Sequence, residues 1–229
     1  MTCGDAVHAA PAWLHQLLAA AHDTLPDQLN RHAPQDGGGR QAAVLILFGY
    51  GPAGPDVLLV QRSDGLRSHA GQPAFPGGAI DPGDDGPAAA AVREAAEETG
   101  LDPAGVDVLA HLPKLHVSVS GFVVTPVIGW WRRPSEVYAA DPVETAAVAR
   151  VPIAELVDPA NRLRVRHPRG HIGPAFRVRD MLVWGFTGGL LDRVLELGGW
   201  ARPWPRGPAE DLPEDRLRLS MRNAPPPDP

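Results

Sequence analysis

Residues 87–100, PAAAAVREAAEETG, constrain this chain more than any other stretch. Proline suits a first helical turn and glycine a helix stop, so the spacing predicts a helix over 87–99. Its alanines would let the helix axis lie close to a sheet. Near its C-terminal end stand Glu94, Glu97 and Glu98, where the helix dipole is already negative. Spacings of three and four residues also set like charges side by side. On a wheel of about 100° per residue, Ala88, Val92, Ala95, Ala96 and Thr99 fall on one side, which is expected to pack on the sheet. The three glutamates fall on the other and are expected to project into a shared space. A solvated acidic face, with Arg93 pairing Glu97 at i,i+4, accounts for the charge pattern taken alone. The dipole and the lack of a second basic residue nearby in the sequence favour a different account, in which a divalent cation removes both penalties. Carboxylate oxygens are the donors that Mg²⁺ or Mn²⁺ prefers.

The loop upstream adds groups of the opposite sign. Arg62, Arg67 and His69 are followed by Gly71, Gln72 and the turn Phe75-Pro76-Gly77-Gly78. Arginine forks match phosphate oxygens, and paired glycines let backbone approach a ligand or turn sharply. Asp81, Asp84 and Asp85 lie between loop and helix, within reach of a metal. Any one of these is an ordinary surface residue. Together they suit a sandwich of phosphate, metal and carboxylate.

The rest of the chain supplies a frame. Residues 11–22 carry Trp13, Leu14, Leu17 and Leu18 at helical spacing, and 30–40 reads as a flexible Gly-rich connection. Strand-like runs occur at 42–50 and 56–62, with 63–86 left as a long loop. Further strands are expected in 105–119 and in 121–131, where Pro126 should limit how central the strand can be. A strand passing into a short helix follows at 144–158, then hairpin strands, then a helix over 185–199. The Pro-rich end reads as a mobile tail. This divides the chain into 1–39, an N-terminal helix and connection; 40–199, one mixed α/β domain; and 200–229, the tail. The formal net charge of −6 argues against nucleic-acid binding by bulk attraction. Cys3 is the only cysteine, so no intramolecular disulfide forms. The longest apolar run is too short to span a bilayer, and the first residues lack a basic signal-peptide region, so a cytoplasmic protein without membrane contact is expected.

The residues from Gly78 to Leu101, GAIDPGDDGPAAAAVREAAEETGL, resemble the Nudix box, and REAAEETG matches its core at every defined position. The gap from Gly78 to Arg93 is one residue longer than the general box, and Asp84 stands where glutamate is expected. These departures leave Asp84 and Asp85 uncertain as ligands. Upstream, LLVQRSDGLRSHAGQPAFPGG (58–78) is similar to the added signature of the coenzyme A pyrophosphatase branch, differing at Val60, where threonine is usual. The resemblance covers roughly residues 40–195. It implies an α/β/α sandwich with a mixed sheet between helices. It also implies metal-dependent cleavage of the pyrophosphate of coenzyme A or its thioesters. On that reading Glu94, Glu97 and Glu98 hold Mg²⁺ or Mn²⁺, with one of them or Glu144 as base. Arg93 orients a glutamate, Gly78 provides a tight turn, and Arg62, Arg67, His69, Gln72 and Gly77 lie against substrate. Hydrolysis of another nucleoside diphosphate derivative, or nucleotide sensing without catalysis, are the competing readings. A homodimer is compatible with the resemblance, but no interface can be read from the sequence.

Overall fold

A computed structural model describes residues 10–25, 29, 39–66, 69–117, 121–167 and 170–221, with no side-chain description for 219–221. The elements in chain order begin with helix α1 (His15–Asp23), strands β1 (Arg40–Gly51) and β2 (Gly54–Arg62), and the short strands β3 (Pro73–Ala74) and β4 (Gly77–Ala79). Then come helix α2 (Gly86–Thr99), strands β5 (Val106–His111), β6 (Leu115–Val117), β7 (Phe122–Trp131) and β8 (Thr145–Pro152), and the short helix α3 (Ile153–Leu156). The chain closes with β9 (Arg162–Arg166), β10 (Ile172–Val178), β11 (Met181–Val183), helix α4 (Gly185–Leu197), β12 (Glu210–Asp211) and helix α5 (Glu214–Met221).

The main sheet runs β3-β2-β1-β7-β5, with β4 on β1, β6 on β7 and β8 on β2. Strands β1 and β7 are parallel and the other pairings in this sheet are antiparallel, so the sheet is mixed. Side chains on a strand alternate between faces, and β1 serves both. Ala43, Leu45 and Leu47 meet Ala90, Ala91 and Ala95 of α2 on one face. Ile46 and Phe48 join Leu14, Leu17 and Leu18 with Leu190, Leu191, Val194 and Leu195 of α4 on the other. Helices thus cover both faces, giving the α/β/α sandwich.

Three expectations need correction. Pro126 lies in an interior strand, opposite Val44 of β1. Its carbonyl accepts from the Leu112 N–H at 2.9 Å, so its missing donor faces the gap between β5 and β6, where no ladder bond is lost. The loop 63–86 contains two short strands that stitch it to β1 and β2. The Pro-rich end is no free tail through Met221. Strand β12 pairs in parallel with β9 in a second sheet, β11-β10-β9-β12, and Leu212 is buried with Leu163, Val165 and Ala175. The connection expected at 30–40 lies mostly outside the described residues.

Candidate active site

Helix α2 starts and stops as its sequence dictates. Pro87 is in its first turn, and Gly100 caps it at φ 68°, donating its N–H to the Ala96 carbonyl. The buried face, however, is rotated from the one the wheel picks out. Ala90, Ala91, Ala95, Glu98 and Thr99 are buried, whereas Ala88, Val92 and Ala96 are only partly covered and line a shallow groove with Pro103 and Val108. The glutamates are therefore not equivalent. Glu98 is 4% exposed, Glu94 18% and Glu97 60% at the side chain. The small side chains of Ala91 and Ala95 bring the axis so near the sheet that Glu94 and Glu98 fit beneath the helix.

Two glycines make that fit. At Gly77 (φ 155°) a Cβ would stand 2.3 Å from the Ala43 carbonyl oxygen and 2.6 Å from Val44 Cα. This close approach to β1 points the Gly77 N–H at Glu98 Oε2, 3.0 Å away. At Gly78 a Cβ would lie 2.4 Å from the carboxyl carbon of Glu94, which rests over the bare Cα. The role of Gly78 is thus to leave room for a carboxylate rather than to turn the chain.

The charges are also better matched than the local sequence indicates. Arg93 donates Nε and Nη2 to Asp84 at 2.9 Å each, and Nη1 to Glu94 at 3.0 Å and Glu97 at 3.1 Å. Its second nitrogen fork also reaches the Ala79 carbonyl at 3.3 Å. The bond to Asp84, before the opposition of burial, raises the proton affinity of Arg93, and the same bond holds Asp84 down to about 2. Arg62 Nη1 lies 3.4 Å from Glu98 Oε1, so the repulsion has a second cation that comes from β2. Asp84 is the residue whose part the sequence least reveals, because its contact with Arg93 crosses the helix start. Asp85 precedes α2 without capping it by a side-chain hydrogen bond.

Even so paired, Glu94 and Glu98 hold their protons more tightly than free carboxylates do. Burial, chiefly, pushes Glu98 up to about 7 against the pull of Arg62 and Gly77, and Glu94 and Glu144 add to the rise. Burial also raises Glu94, with Arg93 opposing and Glu97 and Glu144 reinforcing it. Glu144 comes from the turn before β8, which docks on the end of β2: Ser63 N–H donates to its carbonyl at 2.8 Å, and Ser63 Oγ to Pro142 at 2.9 Å. His69 and Gln72 of the loop after β2 sit beside this cluster. His69, at φ 55°, shares a 3.2 Å contact from Nδ1 with Gln72 Oε1. Burial lowers its proton affinity, with the nearby Arg62 charge adding to that. Arg62 N–H donates to the Gln72 carbonyl at 3.1 Å, and Arg62 Nε meets no acceptor among the described residues. The structure thus gathers Arg62, His69, Gln72, Gly77 and Gly78 around Glu94, Glu98 and Glu144. Arg67 lies outside the described residues.

No three Asp, Glu, His or Cys side chains among the described residues form a ready-made ion cage. The donor chemistry still fits a divalent cation. Carboxylates that raise one another's proton affinity ionise readily beside a dication, and an all-oxygen set is what a hard ion takes. No helix is long and apolar enough to cross a membrane among the described residues.

Residues 39–174 match the family model described as NUDIX domain. The protein named "Uncharacterized Nudix hydrolase NudL" from Klebsiella pneumoniae (strain 342) is 44% identical over 186 residues, spanning 78% of this chain and 91% of that protein. Its namesake from Escherichia coli (strain K12) is 41% identical over 182 residues, spanning 76% of this chain and 90% of that protein. Among solved structures, a Nudix hydrolase from M. Smegmatis, RenU, superposes with a TM-score of 0.48 at 22% identity, over 75% of this chain and 92% of that one.

Proposed function

The chain belongs to the NUDIX family, and from that premise we propose that it hydrolyses the pyrophosphate bond of coenzyme A and its acyl thioesters in the cytoplasm. The products would be 3′,5′-ADP and 4′-phosphopantetheine or its acyl form. Nudix hydrolases act on phosphoanhydride bonds and generally use divalent metal ions. The finer reading, coenzyme A, is supported by one observation above all. The signature segment 58–78 carries Arg62, His69 and Gln72, and it lies against the carboxylate cluster, with Arg62 Nη1 3.4 Å from Glu98. Arg62 brings a positive charge there, and His69 and Gln72 bring hydrogen-bonding groups, a set that suits a substrate with a diphosphate and a further 3′-phosphate.

In this reading Glu94, Glu97 and Glu98 hold Mg²⁺ or Mn²⁺. The ion, when bound, offsets the negative oxygens that repel an incoming hydroxide and lowers the pKa of a water. Arg93 positions Glu94 and Glu97, and the Gly77 N–H fixes Glu98. One of the glutamates, or Glu144 facing them, accepts the proton of the attacking water. Arg62, Arg67, His69 and Gln72 bind phosphate oxygens and keep the diphosphate in line, which is most of what phosphoryl transfer asks of a protein.

The test is a product assay with coenzyme A, with Mg²⁺, with Mn²⁺ and with chelator, alongside ADP-ribose, NADH and nucleoside triphosphates. Metal-dependent release of 3′,5′-ADP, with kcat/KM highest for coenzyme A or an acyl form, is expected. A higher kcat/KM for any of the others would reassign the substrate. Thermal stabilisation by coenzyme A without products would reduce the chain to a sensor.

A further inference from the structure

The C-terminal segment is fastened first to the main core and then to the small sheet. Trp200 packs on Trp13 and Phe48. Trp204 covers the guanidinium of Arg162, whose other face lies on Phe176. Glu210 pairs with Arg177 at 2.6 Å, β12 joins β9, and Leu212 is buried. This course delivers α5 to the substrate loop, where Arg216 Nη1 donates to the carbonyl of Gly71 at 2.7 Å across 145 residues of sequence. Asp215 steadies the same guanidinium, 3.4 Å from its Nε.

The Gly71 carbonyl sits in a turn that is pinned from several directions. Gly71 is at φ 64°, its N–H donates to the Ser63 carbonyl, and its own carbonyl also accepts from Gln61 Nε2. A carbonyl has two lone pairs, and here Gln61 and Arg216 use both. Gln61 belongs to the strand that leads into the loop, so it restrains the turn only toward the sheet. Arg216 reaches it from outside, and its donor is charged, the stronger kind of hydrogen bond. The turn it holds presents His69 and Gln72 beside Arg62 and Glu98.

We propose that Arg216 is a positioning residue: from the C-terminal helix it fixes the 69–72 turn, and so sets His69 and Gln72 for a phosphate-bearing substrate without touching that substrate. The inference rests on the hydrolase reading for its kinetic part but not for its structural part. The experiment therefore pairs kinetics with amide exchange on the full chain. For Arg216→Ala, KM for coenzyme A should rise about five- to tenfold, less than the full worth of a charge-assisted hydrogen bond because the guanidinium is partly exposed, with kcat within about twofold. Exchange at the Gly71 and Gln72 amides should quicken by at least the same factor, while the melting temperature falls by no more than a few degrees. Arg216→Lys, which keeps one donor, should recover part of both effects. Arg218→Ala, on the same helix with an exposed side chain, should change neither. Unchanged exchange at Gly71 and Gln72 in Arg216→Ala would overturn the proposal. So would exchange that quickens more across the rest of the molecule than at the turn, with a melting temperature lowered well beyond a few degrees, which would assign Arg216 to the fold. Should the wild-type protein release no products from coenzyme A, the substrate reading fails, and the exchange comparison alone still decides what Arg216 holds.

Discussion

Helix α2 and the C-terminal segment from Ala201 to Met221 treat charge in opposite ways. In α2 the most buried acid, Glu98, is 4% exposed, with one arginine at 3.4 Å and one backbone N–H against it. In the C-terminal segment the acids Glu210 and Asp211 are exposed and pair with Arg177 of β10 and Arg166 of β9. Pairs of that second kind contribute little each, roughly 0–1 kcal/mol, and hold the strand mainly by setting its register. Keeping Glu98 ionised in a buried place works against the fold. The contrast teaches that ion pairs near one another in number and type can serve opposite ends: along the C-terminal segment they fasten, while in α2 they only moderate a destabilising arrangement.

Replacing Glu98 tests that contrast most strongly. The Glu98→Gln variant should lose about 10²- to 10⁴-fold in kcat, the range for removing a positioned acid–base or charge-stabilising group. In chelator it should also melt higher than wild type at pH 8. The sign follows from the raised affinity. A carboxyl held at about 7 when folded, above its ordinary 4.5, binds its proton more tightly in the native state. Its stabilising effect is complete below about 4.5 and is lost as pH rises through about 7. The loss is on the order of 3 kcal/mol at pH 8. Glutamine does not titrate, so the gap between the variants should close toward pH 5. If Glu98→Gln melts lower than wild type at pH 8, the carboxylate is an anchor for Arg62 and the contrast with the C-terminal segment disappears.

The two regions were also unequally legible in the sequence, for the same reason. Helix α2 is set by near neighbours: Pro87 and Gly100 mark its ends, and REAAEETG fixes the order of its charges. What the wheel missed was its rotation, because an alanine-rich helix has no single apolar stripe and the depth of Glu94 and Glu98 depends on Gly78 and Gly77, 16 and 21 residues upstream of them. Arg62, which relieves Glu98, is farther still, so the local charge pattern overstated the repulsion. In the C-terminal segment every informative contact is remote. Trp204 finds Arg162, Leu212 finds Val165, and Arg216 finds Gly71, while the intervening prolines speak only for the absence of a helix. Pro126 shows the converse, since its strand is central only because a break between β5 and β6 lies beside it.

A second, smaller effect separates fold from function inside the site itself. The added methyl of Gly78→Ala meets the end of a movable side chain, the Glu94 carboxylate at 2.4–2.5 Å. Glu94 must shift by about an ångström, which can cost about 10²-fold in rate, while the fold should give up little. The added methyl of Gly77→Ala meets backbone at 2.3 and 2.6 Å, which cannot yield without parting β4 from β1. So Gly78→Ala should be stable and slow, and Gly77→Ala should fail in stability first. Urea melts beside steady-state rates would check this. If Gly78→Ala keeps full activity, Glu94 has no fixed place in the reaction.

The smallest effect comes from the other region and asks whether the two are separable at all. In Trp204→Ala the guanidinium of Arg162 loses the ring 4.7 Å away but keeps Phe176 at 4.3 Å and its pairing with Asp192. A cation–π contact at such a half-buried place is worth about 1 kcal/mol. The melting temperature should therefore fall by a few degrees, on the order of 2–4 °C for a domain of this size. Because β12, Leu212 and Arg216 remain, kcat should stay at the wild-type value and KM should rise less than in Arg216→Ala. A fall in kcat of the size expected for Gly78→Ala would mean that the C-terminal segment bears on the carboxylates themselves, and its role could no longer be limited to holding the 69–72 turn.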